Sequence, residues 1–154
     1  MKKVVFIIAL VTISTTVMAQ SAQEEVDMIQ SVFGMGKKAM VAEFIQLQGA
    51  QADTFWALYD EYETKRKQLG QRRLVLLEAY ADTYDSMDDA TADAILKEMM
   101  SLQTSTDKLI STYTKKIKKK VNIKSAAQFF QIEGYVLSKI RTKILENIPV
   151  IGSM

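Results

Sequence analysis

The chain has 154 residues, with 20 basic against 18 acidic side chains, no histidine and no cysteine. Those two absences remove the usual general base, the thiol nucleophile, the commonest nitrogen and sulfur metal ligands and any disulfide. Catalysis and metal or cofactor chemistry are therefore not expected, and the fold must be held by packing alone.

The chain opens with Lys2 and Lys3, then a run from Val4 to Val17 that is apolar apart from hydroxyls, then Met18 and Ala19. A short positive region, an apolar stretch and small residues at a cleavage position make a signal peptide cut after Ala19. The run is about 14 residues, shorter than the roughly 20 that span a bilayer, so an uncleaved anchor is the weaker reading. No cysteine follows to carry a lipid. The expectation is a periplasmic protein, or a secreted one, with no stable membrane anchor. Loss of residues 1–19 takes away Lys2 and Lys3 and no acid, bringing the net charge of +2 to zero. A neutral chain has no overall field to draw in nucleic acid. Residues 20–154 suffice for one helical domain with a real core.

Proline occurs once and glycine six times; strong helix formers fill the stretches between, and no period-two alternation is sustained, so the fold reads as all-α with four helices. The first covers about residues 24–47, with Ile29, Phe33, Met40, Phe44 and Leu47 on one stripe and a kink or break at Gly34-Met35-Gly36. In the second, Phe55, Leu58, Tyr59, Tyr62, Leu69, Leu76, Leu77, Tyr80 and Tyr84 keep to one stripe of a helix about 35 residues and roughly 50 Å long. A loop over residues 85–88 follows, where Asp88 or Asp89 can cap the next helix. The third carries Ile95, Met99, Leu102, Thr106, Leu109 and Tyr113 at the alternating spacing of a heptad seam, so the second and third should pair as a long antiparallel hairpin. The fourth, about 125–147, has Phe129, Val136, Ile140 and Ile144 on one face before Pro149, and a frayed tail over about 148–154.

Setting Leu47 against Val121 aligns Leu47, Ala52, Phe55, Trp56 and Leu58 with Val121, Ala126, Phe129, Phe130 and Ile132. Two copies of a loop-to-helix segment, or two amphipathic helices matched through their shared periodicity, would both give this. Leu47-Gln48-Gly49-Ala50-Gln51, with Phe55 to Tyr62 and Lys65-Arg66 after it, resembles the first of two LTxxQ-type motifs of the Spy/CpxP family of periplasmic helical proteins. Val121-Asn122-Ile123-Lys124-Ser125, with Phe129, is similar to a degenerate second copy. The likeness covers roughly residues 40–145. It implies a cradle-shaped homodimer of long helices that holds partly unfolded proteins without ATP or, in CpxP-like members, damps an envelope-stress sensor. The motif's threonine can cap the helix that follows it; Asn122 can take over that part, whereas Gln48 cannot.

Acids cluster at Asp60, Glu61 and Glu63 and at Asp82, Asp85, Asp88 and Asp89. Neither group has di-iron or EF-hand spacing, so they read as a solvated face and a capping loop, with weak calcium binding in the loop as the alternative. Arg66 and Arg73 fall on the apolar stripe of the second helix. Either each lies on apolar neighbours and reaches an acid on a facing helix or water, or the stripe is partly open and offers aromatic, aliphatic and basic groups to unfolded chains. Methionines such as Met35, Met40, Met99 and Met100 can line a pliable surface or fill core gaps; Met99, on the seam, reads as core. Lys115, Lys116, Lys118, Lys119 and Lys120 complement the negative end of the third helix or meet anionic partners.

The sequence thus points to an ATP-independent holdase for partly unfolded envelope proteins, with client contacts at Met40, Phe44, Trp56, Arg66 and Arg73. The alternative is a non-enzymatic regulator or structural partner of one defined envelope protein.

Overall fold

Apolar side chains three and four apart along 35 residues leave a helix little choice but to bury one stripe. The computed structural model, which describes residues 36–152, shows that stripe covered by the next two helices. Among these residues four α-helices follow in order: α1 (Lys37–Phe44), α2 (Gly49–Thr83), α3 (Asp89–Lys120) and α4 (Ile123–Leu145), with a 3-10 turn, Tyr84–Ser86, between α2 and α3. No strand occurs among the described residues. The signal-peptide residues, the glycine break at residues 34–35, and Ile29 and Phe33 lie outside them.

α2 and α3 run antiparallel, as Glu61 with Lys116, Tyr62 with Tyr113 and Arg72 with Glu98 show. α4 returns parallel to α2, with Glu133 at Tyr62 and Pro149 at Tyr80. The main core sits at the end of the molecule where α1, the first turns of α2 and the α3–α4 junction meet. There Phe55, Tyr59, Tyr62, Tyr113, Ile117 and Phe129 are almost wholly buried. The Tyr62 ring meets Phe129 at 5.0 Å and Tyr113 at 5.5 Å between centroids, both edge to face, a favoured arrangement of ring quadrupoles.

Helix ends follow local chemistry. Asp88 caps α3, its carboxylate accepting from Thr91 N at 2.8 Å, and Asn122 caps α4, accepting from Ser125 N at 2.8 Å. Gln48 makes no cap bond. The chain enters α2 instead through Gly49, whose φ of 58° is the left-handed conformation that side-chain-bearing residues avoid. Lys118, Lys119 and Lys120 occupy the last turn of α3, where the helix dipole favours them.

Two stripes differ from expectation. α1 stops at Phe44, so Met40, Val41 and Ile45 face inward and Phe44 is 58% exposed. In α3 the buried set is Ile95, Leu102, Thr106, Ile110, Tyr113 and Ile117. Its spacing of four, four, three and four from Leu102 onward follows a straight helix and not a heptad seam. Ile110 therefore replaces Leu109, and Met99, expected in the core, is 37% exposed. Beyond Leu145 the tail is tied down through residue 150: the Tyr80 hydroxyl donates to Pro149 O at 2.6 Å, and that of Tyr84 to Val150 O at 3.2 Å.

Asn122→Ala should cost about 1 kcal/mol in urea unfolding and Gly49→Ala about 1–2 kcal/mol, while Gln48→Ala should stay within about 0.5 kcal/mol of the parent.

Candidate functional site

A charged cluster lies inside the core. Lys37, the first residue of α1, is 5% exposed at its side chain; its Nζ lies 2.5 Å from Glu63 Oε1 on α2 and 2.7 Å from Glu133 Oε2 on α4. Arg66 Nε donates to the same Glu63 oxygen at 2.8 Å, and the Tyr62 hydroxyl donates to Glu133 Oε2 at 2.6 Å. Lys37 also stands over the Tyr62 ring, 4.9 Å from its centroid. Among the described residues each buried carboxylate thus faces a cation, the condition under which buried charges are tolerated.

Burial pushes the Glu63 carboxyl up, but Lys37 and Arg66 outweigh it and hold the group below the ordinary carboxylate range. Burial, reinforced by the negative field of Glu133 and Glu63, drives the Tyr59 and Tyr62 hydroxyls far above the ordinary phenol value, so both stay protonated. Beside the cluster a cavity of about 20 Å³, lined in part by Tyr62, Arg66, Thr106 and Glu133, has room and polarity for one water.

The acidic group expected on a solvated face thus divides. Asp60 and Glu61 are exposed, whereas Glu63 turns inward. Arg66 meets an acid, Glu63, one turn earlier on its own helix. Glu133 and Lys37 were not legible as a pair, although each sits on an apolar stripe: Glu133 falls between Phe129 and Val136 at offsets of four and three, and Lys37 precedes Met40 and Val41 by three and four. An ion on a buried stripe is the signal that could have found them.

The residues expected to meet clients separate into two groups. Met40 packs on Val136 and Ile140, and Arg66 is 12% exposed at its side chain, so both belong to the interior. Phe44 is exposed. Trp56 is half-buried beneath the Lys38 ammonium, 5.3 Å from the ring centroid, and Arg73 is half-buried further along α2. The two motif segments come together: Asn122 Nδ2 donates to Gln51 Oε1 at 3.3 Å, Leu47 and Val121 flank one core, and Phe55 and Phe129 are buried within it.

Further exposed apolar side chains lie on the long helices, among them Val75, Leu96, Met100, Phe130 and Leu145. No three acidic side chains converge to hold a metal ion among the described residues, and Asp88 is engaged as a cap. No described helix is long and apolar enough to cross a membrane. No family model matches the chain, and neither the curated proteins nor the solved structures yield a match.

Lys37→Met leaves two buried carboxylates facing each other and should cost about 3 kcal/mol or more, with Lys37→Met/Glu133→Gln regaining part of it in a denaturation cycle. Because the folded-state pKa of Glu63 is lowered, its contribution is complete above the unfolded value of about 4.3 and is lost as pH falls through the folded one. Glu63→Gln should therefore flatten the acid limb of a stability–pH profile.

Proposed function

We propose that this protein is an ATP-independent holdase for partly unfolded proteins, working in the periplasm after export. The observation that carries the reading is the set of large apolar side chains left in solvent, on the short α1 and on the long helices alike: Phe44 at 58% exposure, Phe130 at 54% and Met100 at 62%. Exposed apolar surface of this kind on a folded chain marks sites for other proteins. Unfolded segments offer apolar groups and acids together, and Phe44, Trp56, Lys38 and Arg73 present partners for both. Met40 and Arg66 serve this surface from behind, by fixing α1 and the middle of α2.

The resemblance to Spy/CpxP proteins supports the same reading, and the meeting of the two motif segments at Asn122 and Gln51 is in keeping with it. Homodimer formation belongs to this proposal, since a second copy would enlarge a shallow client surface. So does the absence of catalysis, which rests on a sequence with neither histidine nor cysteine.

The purified protein should suppress light scattering from several unrelated proteins diluted out of denaturant, at near-stoichiometric amounts and without nucleotide. Phe44→Ser and Arg73→Glu should each weaken suppression several-fold while leaving helicity unchanged. Arg66 is unsuited to this test because it lies in the interior and its loss removes one of the two cations on Glu63. A folded chain that protects none of these proteins would instead favour a regulator dedicated to one native partner.

A further inference from the structure

Charge is unevenly placed along the segment that forms the α2–α3 turn, α3 and the start of α4. Residues 78–107 carry eight acids and one cation, Lys97, whereas residues 108–132 carry seven lysines and no acid. The basic stretch runs through the end of α3 into the first turns of α4, at the same end of the molecule as the main core. Lys116 is paired with Glu61 on α2 at 3.5 Å. Lys108, Lys115, Lys118, Lys119, Lys120 and Lys124 are exposed, and none of the six forms an ion pair among the described residues. Lys108, Lys115 and Lys119, at offsets of seven and eleven, share one outward stripe of α3.

The helix dipole accounts for only part of this run. It favours cations within the last turn of α3, where Lys118, Lys119 and Lys120 sit. Lys108 and Lys115 lie before that turn, and Lys124, the second residue of α4, stands at the helix end where the dipole disfavours a cation. Lysines without counter-charges repel one another, and an anionic surface would remove that repulsion. Between Lys120 and Lys124 the chain also presents Ile123, 62% exposed at the first position of α4.

We infer that this face binds the surface of an anionic phospholipid bilayer, with the lysines in the headgroup layer and Ile123 entering the acyl boundary. Two features favour a bilayer over an acidic protein. Every cation between residues 108 and 132 is a lysine, a flexible point charge suited to a fluid layer of headgroups; the planar fork of arginine, which fixes one carboxylate or phosphate, does not occur there. An exposed isoleucine flanked in the chain by Lys120 and Lys124 combines apolar insertion with electrostatic attraction, the pairing through which proteins lie on membranes. Such attachment is reversible and needs no spanning helix. It is independent of the holdase reading, because Phe44, Trp56, Lys38 and Arg73 take no part in it.

Co-sedimentation with phosphatidylcholine vesicles, with and without about one-third phosphatidylglycerol, tests the assignment. The chain is used without residues 1–19, as export would leave it, because the apolar run of residues 4–17 would seek lipid by itself. Binding is expected only to the anionic vesicles and should weaken at least tenfold from low salt to about 0.15 M. Each lysine in the headgroup layer strengthens binding about fivefold, so Lys118→Glu/Lys119→Glu should weaken it at least tenfold, and Ile123→Ser should weaken it several-fold. Lys124→Glu separates binding from structure: affinity should fall about fivefold or more, while thermal stability stays equal or rises, since an acid suits that helix end. Should Lys118→Glu/Lys119→Glu fray α3, Lys108→Glu/Lys115→Glu repeats the test outside its last turn. No binding to either vesicle, equal binding to pure phosphatidylcholine, or indifference to these substitutions would overturn the proposal. So would polyglutamate that strips the protein from the vesicles at matched charge, which would make the face a site for acidic proteins.

Discussion

Burying the ammonium of Lys37 is the constraint around which the rest of the molecule is arranged. An unpaired charge at that depth would cost several kcal/mol, so α1 can lie where it does only if Glu63 and Glu133 arrive together from two other helices. That requirement fixes α2 and α4 in relative height and rotation, because the Tyr62 hydroxyl and Lys37 share one oxygen of Glu133. An apolar plug of equal volume could stabilise the junction as well or better, but it would tolerate sliding. Ionic partners do not, and a bundle of helices with repeating apolar stripes has many near-equivalent registers to exclude. The same contacts hold a short helix of eight residues, which has little stability of its own.

From that knot the packing thins in one direction. The aromatic core gathers Phe55 to Tyr62, Ile110 to Ile117 and Ala126 to Leu137 at one end. Towards the α2–α3 turn the buried positions are fewer, Leu74, Tyr80, Ile95 and Leu102, and apolar side chains begin to face water. Tyr80 and Tyr84 fasten Pro149 and Val150, beyond the end of α4, across this end. A densely packed end and a thinly packed end thus share the same helices, and apolar side chains stay in solvent at both, Phe44 and Phe130 at the first, Leu96 and Leu145 at the second.

Much of this was legible in the residues. The length of α2, the caps at Asp88 and Asn122 and the all-α class follow from periodicity and hydrogen-bonding chemistry, which act within a few residues. What was not legible depends on distant chain. A heptad reading of α3 put Leu109 and Met99 on the seam because those residues are apolar. The buried face drifts as 3.6 residues per turn requires, so Ile110 and Ile117 take the core. The ionic cluster joins residues 37, 63 and 133. Its only local sign was the presence of charges on stripes otherwise apolar, a sign equally consistent with side chains that reach out to water.

That ambiguity bears on how a binding surface arises in a helical protein. A stripe read from sequence says which side chains share a face and leaves open which part of the face another helix will cover. Arg66 and Arg73 occupy the same stripe of α2, two turns apart. The first lies where α1 and α4 both close over the helix and becomes an interior ion; the second lies beyond α1 and lines the start of an open groove. Met40 and Phe44 divide the same way within a single helix, because the chain leaves α1 immediately after Phe44. The extent of the exposed apolar surface is therefore set by where the covering helices stop, and those stops are placed by local features: the end of α1 at Phe44, the left-handed Gly49 and the Asn122 cap. A change at one of these ends would alter which apolar side chains are presented even if no residue of the surface itself were touched.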